Sequence, residues 1–258
     1  MKRKSQNIIN KLYSISAIVI LLLLWQGLCS FQIVPEFMLP SPMSVGKAFI
    51  TDFPLLIDHS MTSLMEAFIG LLLGVLIGFI TAIFMDHFEI LYRILYPLIV
   101  LTQTIPTVAI APLLVLWLGY EMAPKVVLII IVTFFPIAVG VLNGFRSADS
   151  DTINLLRSMG ASSFQIFYHV KFPNALGSFF SSLRISVSYS IVGAVIAEWL
   201  GGTNGLGVYM TRVRKSFAFD KMFAVIFLIS FLSLLLMALV NFVQKKCMPW
   251  EQLKKEEE

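Results

Sequence analysis

Few residues of this chain carry reactive side chains, and their spacing does not assemble a catalyst. The three histidines, His59, His87 and His169, fall in separate segments with no His-x-x-x-His or Glu-x-x-His pattern, so no metal site is expected. A Gly-x-Ser-x-Gly elbow and a Gly-x-x-x-x-Gly-Lys-Ser/Thr phosphate loop are both missing; Gly46-Lys47 lacks the rest of the second pattern. Neither acyl transfer nor ATP hydrolysis is therefore expected of this chain. What remains are ionisable groups within apolar runs, namely Glu66, Arg184 and Glu198. Such groups point to function by default, although both glutamates lie near the end of a run, where snorkelling lowers their cost. Arg184 precedes Glu198 by 14 residues, about 21 Å along one helix, so the two cannot pair.

Composition sets the elements that must hold these groups. Of 258 residues, 58% are hydrophobic and only 13% charged, against ~25% charged in a soluble domain. Mean hydropathy is +0.86. Disorder, a disulfide scaffold and an ordinary soluble enzyme are disfavoured, and a polytopic membrane protein is favoured. The surplus of +4 charges fits basic loops at a lipid bilayer and not a nucleic-acid face. Uncharged runs of 24, 19, 27, 20 and 23 residues lie between Lys11 and Glu36, Glu66 and Asp86, Arg93 and Glu121, Lys125 and Arg146, and Lys221 and Lys245. Each approaches or exceeds the ~20 residues that cross a bilayer. A sixth run contains Arg184 and Glu198. The reading is an all-α single domain, 1–258, with six transmembrane helices near 13–32, 62–85, 91–118, 125–144, 178–200 and 221–244. The first run is too long for a signal-peptide core and should stay as a helix. With both termini on one side, thirteen Lys/Arg share that side, Lys254 and Lys255 included, and six face the other. The bias predicts cytoplasmic termini in a cell (inner or plasma) membrane.

The spans carry their own signals. Gly70, Gly74, Gly78 and Ala82 recur every four residues, as do Ser178, Ser182, Ser186, Ser190 and Ala194, with Glu198 next in register. Such ladders allow close helix packing, and the same smooth faces could border a pathway. The third span contains Pro106 and Pro112 beside Thr102-Gln103-Thr104. Proline removes helix hydrogen bonds, and in a bilayer the freed carbonyls need protein or water. A broken, buried helix is expected there, either a structural kink or a transport element.

The inner loop, 145–177, is the most informative part. Asp149 or Ser150 suits a helix N-cap, Gly160 a left-handed stop, and Ser162 with Gln165 a capping box for a second short helix. Phe172-Pro173 is expected to close that second helix. Ile153, Leu156, Met159, Phe164, Phe167 and Val170 give each short helix an apolar side, to be covered by a partner or by the spans.

Arg157-Ser158-Met159-Gly160-Ala161-Ser162 followed by Val170-Lys171-Phe172-Pro173 resembles the EAA loop of binding-protein-dependent ABC transporter permeases. The family's glycine matches Gly160 and its closing proline matches Pro173, while Asn154, Leu155 and Leu156 replace the acidic-Ala-Ala opening. Leu39-Pro40-Ser41-Pro42, His59 with Ser63, and Glu198-Trp199-Leu200-Gly201 with Gly205-Leu206-Gly207 resemble the nitrate, sulfonate and taurine branch. The resemblance implies a type I ABC importer permease fold. It implies that Asp151, Leu155, Leu156, Arg157, Met159, Gly160, Ala161, Phe164, Phe167 and Pro173 couple to a separate ABC ATP-binding subunit that holds the ATP. This chain would hold no cofactor. A second permease copy, as a homodimer, and an extracytoplasmic solute-binding protein complete the implied partners. Phe134-Phe135-Pro136-Ile137, the Leu155 to Gly160 run and the Tyr189 to Gly201 segment look more like permeases for thiamine pyrimidine precursors or riboflavin. An alkanesulfonate, taurine or nitrate permease is the second reading, and an ATP-independent channel or secondary transporter the third.

Overall fold

The computed structural model describes residues 2–36 and 38–250, and of residues 2–12, 14 and 15 only the helical backbone. Lys254, Lys255 and the acidic end Glu256 to Glu258 lie outside the described residues. Every regular element among the described residues is helical: α1 Lys2–Ser30, α2 Pro42–Thr51, α3 Phe53–His87, α4 Glu89–Thr102, α5 Thr107–Leu118, α6 Met122–Arg146, α7 Ser150–Ser158, α8 Ser163–Ile166, a π turn Phe167–Lys171, α9 Phe172–Glu198, α10 Leu206–Lys215 and α11 Phe219–Cys247.

Four helical stretches are long and apolar enough to cross a membrane, at Phe53–His87, Met122–Arg146, Ser163–Glu198 and Phe219–Cys247. The third expected span is a pair, α4 and α5, bent by 98°. The first is represented by the shorter apolar stretch Ser16–Ser30, so the spans supported by length and composition number four, or five with the bent pair.

Three boundaries differ from the sequence reading. The residues between the first two expected spans form a helix and the start of α3: Ser41 accepts the Ser44 N–H at 3.1 Å and Pro42 opens α2, an N-cap followed by the proline that a first helical turn tolerates. The segment 201–220 contains α10. Pro173 closes nothing, because it sits in the first turn of α9. The Phe172 N–H reaches back five residues to the Phe167 carbonyl, and this wider turn lets the chain continue helically across a residue that has no N–H.

The chain forms two compact units. The first comprises residues 1–58 and 209–228. In it the Trp25 indole donates to the Pro40 carbonyl at 3.1 Å and stacks on Phe227. Asp52 accepts from the Tyr209 hydroxyl and from Lys221 at 2.8 Å. Burial alone would raise the Asp52 pKa, but the hydrogen bonds from Lys221 and Tyr209 and the Lys221 charge outweigh it and hold the carboxyl below its ordinary value of 3.8. For such a depressed acid, stability is present above the ordinary value and lost as pH falls through the folded one. Proteolysis near Asp52 is therefore expected to accelerate at about pH 3 relative to about pH 6, and Asp52→Asn should flatten that dependence.

The second unit comprises residues 59–208 and 229–258, with α6 between α3 and α9. A Cβ built on Gly70 would meet Ile129, one on Gly74 Thr133, and one on Gly78 Ile137, so the glycine ladder of α3 lies on the 129, 133, 137 ridge of α6. On the other side a Cβ on Gly140 would collide with Ser182, and one on Gly144 with Ala175. Ser182, Ser186 and Ser190 are buried; Ser186 donates to the Thr133 carbonyl at 3.1 Å and Ser190 to that of Val187. Both small-residue ladders thus serve helix approach. Gly74→Leu should lower the unfolding temperature of the purified chain, at an overpacking cost of about 1–3 kcal/mol. Gly27→Leu, where a Cβ has open space, should leave that temperature unchanged.

Candidate functional site

Three regions of the second unit gather the residues singled out by type and spacing. At the Arg146 end of α6, the chain leaves the bundle as the α7–α8 hairpin. Asp149 caps α7 by accepting from the Asp151 and Thr152 N–H groups and the Thr152 hydroxyl. The hydrogen bonds from Thr152 hold its carboxyl below the ordinary value. Gly160 turns the hairpin at φ +85°, a left-handed position that disfavours side chains with a Cβ. The Ser162–Gln165 capping box is present in both directions. Leu155, Met159 and Phe164 stand exposed, with Asp151 and Arg157. Leu156 and Ala161 are half-buried. Phe167, read as a docking knob, instead packs 5.2 Å from Phe145, because the π turn swings it toward the core. Ile166, not singled out from the sequence, is buried beside it. Lys171 ties the end of the hairpin to Asp86 of α3 at 2.8 Å. A groove of about 580 Å³ lies between them, lined by Ile83, Asp86, Arg157, Phe164 and Phe167 among others.

At the opposite end of α6, both glutamates are buried and partnered. Lys125 donates to Glu66 at 2.5 Å, with both side chains almost fully enclosed. Glu198 accepts from the Ser63 hydroxyl at 2.6 Å and from the Gly207 N–H at 2.6 Å. Ser63 in turn accepts the Leu206 N–H, and His59 Nδ1 accepts the Gly205 N–H. The first N–H groups of α10 have no intrahelical acceptors, and α3 and α9 supply them. Gly205, at φ +125°, and Gly207 are required there, since a Cβ on either would overlap the Glu198 side chain. The expectation of snorkelling glutamates is corrected: both are anchored inward. Arg184 likewise finds partners away from Glu198, in Gln244, Asn241 and Ser181. Lys125 had stood out only as the boundary of an apolar run.

The third region is the break between α4 and α5. Pro106 forms the N-cap of α5, while Pro112 and Pro97 lie within continuous helices. The break therefore belongs to Pro106 and the polar run before it, not to proline in general. Leu101 to Pro106 are exposed on this chain, contrary to the expected burial. The Thr102 hydroxyl donates to the Ile99 carbonyl, and the Thr104 hydroxyl donates to the Leu101 carbonyl, which also accepts the Thr104 N–H. Gln103 and Tyr189 line two cavities against α6 and α9. No group of three or more His, Cys, Asp or Glu that could hold a metal is present among the described residues.

The family model described as "Binding-protein-dependent transport system inner membrane component" matches residues 74–248. The chain belongs to this family. A probable ABC transporter permease protein of Haemophilus influenzae is 36% identical over 84% of this chain and 89% of its own length. The formylaminopyrimidine transport permease protein ThiX of Halalkalibacterium halodurans is 34% identical over 91% and 94%. The taurine transport system permease protein TauC of Escherichia coli is 30% identical over 92% and 89%. Among solved structures, an amino acid ABC transporter crystallised with histidines matches with a TM-score of 0.64 at 16% identity, covering 77% of this chain and 96% of its own. The MetNI methionine ABC transporter in an inward-facing conformation matches with 0.63 at 20%, over 77% and 97%. These two likenesses carry the fold. The chain is an inner-membrane permease of the ABC transporter family, crossing the membrane several times.

Proposed function

We propose that this permease works as one of two copies in an ATP-driven importer, with cytoplasmic termini and six passages through the membrane. The α7–α8 hairpin docks on a separate ATP-binding subunit, which holds and hydrolyses the ATP. An extracytoplasmic binding protein delivers the solute, a heterocycle of the thiamine pyrimidine precursor or riboflavin kind. The observation that carries the coupling role is the hairpin itself. Its turn is rigidly capped, its exit is tied to α3 by Lys171, and Leu155, Met159 and Phe164 remain uncovered. Exposed apolar side chains on such a rigid support mark an interaction face. The solute class is supported by the likeness to ThiX, at higher identity than to TauC; the TauC likeness sustains a taurine or sulfonate permease as the second reading.

A mild-detergent purification of the chain from its native membranes tests the assembly. Recovery of an ATP-binding subunit that is lost on deletion of residues 151–170 is expected. Recovery of the chain alone, with solute flux that survives ATP depletion, would move the function to a channel or secondary transporter. Uptake of labelled formylaminopyrimidine, riboflavin and taurine separates the solute readings.

A further inference from the structure

We propose that Gln103 and Tyr189 form a solute subsite where two cavities of the permease meet, and that it takes an uncharged, single-ring aromatic nitrogen heterocycle. The inference rests on the reading of this chain as a solute-passing subunit. One cavity, of about 230 Å³, lies between the α4–α5 break and the stretch of α9 around Val192 and Gly193, with Ile131 and Val132 of α6 behind. The other, of about 350 Å³, lies further toward the Arg146 end of α6, against Pro136, Val139, Ser182 and Ile185. Their centres are about 10 Å apart along α9, counted at 1.5 Å per residue. The two residues common to both linings are Gln103 and Tyr189. A solute moving along the α6–α9 face from one cavity to the other must pass this pair.

The chemistry of the pair is specific. Tyr189 is 47% exposed and offers a ring face for stacking and a hydroxyl at its rim. Gln103 ends α4, and its side-chain amide has both donor and acceptor capacity. Neither side chain makes a hydrogen bond among the described residues, so both polar ends are available. Thr102 and Thr107 add hydroxyl oxygens on the wall of the smaller cavity. No charged residue lines either cavity, and the Arg184 guanidinium is engaged by Gln244, Asn241 and Ser181. An anion such as a sulfonate would lose its hydration here with no cation to replace it. A pyrimidine ring carrying amino and ring-nitrogen groups matches a stacking face beside an amide. Both cavities are at or below the small end of the ~300–1,000 Å³ range of ligand sites, which suits one substituted ring better than a fused flavin with a polyol arm.

The test uses cells lacking their own copy of the chain and complemented with variants, assayed for initial uptake of labelled formylaminopyrimidine and of taurine. Tyr189→Ala and Gln103→Ala are expected to lower pyrimidine uptake by about tenfold at unchanged membrane levels. Tyr189→Phe, which keeps the ring, should stay within about threefold, and Leu98→Ala on the exposed face of α4 should match the parent. In a chain with Cys29→Ser and Cys247→Ser, Gln103→Cys and Tyr189→Cys should react with a membrane-impermeant maleimide, and formylaminopyrimidine should slow the reaction. Parental uptake by both alanine variants would overturn the subsite and leave the function standing. Absence of maleimide reaction at both positions, meaning a gap filled by lipid or by the second copy, would overturn it whatever the solute. If the parent moved taurine and no pyrimidine, the heterocycle class would fall together with the proposed solute.

Discussion

Lys125→Ala is expected to destabilise the permease by about 3–5 kcal/mol, the cost typical of leaving one partner of a buried ion pair alone. The Lys125 and Glu66 side chains are 6% and 4% exposed, so loss of the ammonium leaves the carboxylate largely enclosed without its counter-charge. The remaining carboxylate would also lie in the neighbourhood of a second buried carboxyl, that of Glu198. Glu198 in turn holds the Gly207 N–H and, through Ser63, the Leu206 N–H. The loss should therefore spread to the first turn of α10. The thermal unfolding of detergent-solubilised protein measures this effect. Glu66→Gln combined with Lys125→Met removes both charges, and it should cost much less than the sum of the single changes. Equal costs for the double variant and the sum would show that the pair acts independently and that the buried network described here is not coupled.

Gly160→Val should abolish most transport while leaving the chain inserted and folded. The hairpin turns at φ +85°, where a residue with a Cβ is strained by about 1–2 kcal/mol, more for a β-branched side chain. A Cβ there would touch nothing within 4 Å, so the cost comes from the backbone and falls on the hairpin alone. Relaxation of the turn would move Leu155 and Met159 away from Phe164 on the face proposed to dock. Uptake by membranes of matched permease content is expected to drop about tenfold or more. Asparagine tolerates this conformation far better, so Gly160→Asn should recover most of the uptake. Equal loss with valine and asparagine would indicate that space around the turn, not backbone conformation, is what transport requires.

Much of the hairpin was legible from the sequence because its signals are local. Asp149, Gly160, Ser162 and Gln165 act within four residues of their partners, and each does what its type and spacing imply. The small-residue ladders were legible as helix contacts for a similar reason: a spacing of four places them on one face. Which helix they touch was not legible, nor was the choice between packing and pathway. Pro173 misled because proline ends a helix in most settings, and nothing local announces the π turn that accommodates it. Phe164 and Phe167 look equivalent in sequence, yet one is exposed and the other packs on Phe145, a difference decided by the turn between them.

The sequence by itself determined the class of the molecule, most of its long apolar helices, a break somewhere in the proline-bearing third span and the capped hairpin, because hydrophobic run length, proline and capping chemistry act over a few residues. Only the tertiary structure decided that Glu66 faces Lys125, that Glu198 and Ser63 cap α10, and that Gln103 and Tyr189 line the same two cavities. Those partners lie 59, 135 and 143 residues apart for Glu66–Lys125, Ser63–Glu198 and Ser63–Leu206. A buried charge must find a counter-charge or hydrogen bonds, but no local rule says where along the chain they will be; the packing of α3 and α9 on α6 does.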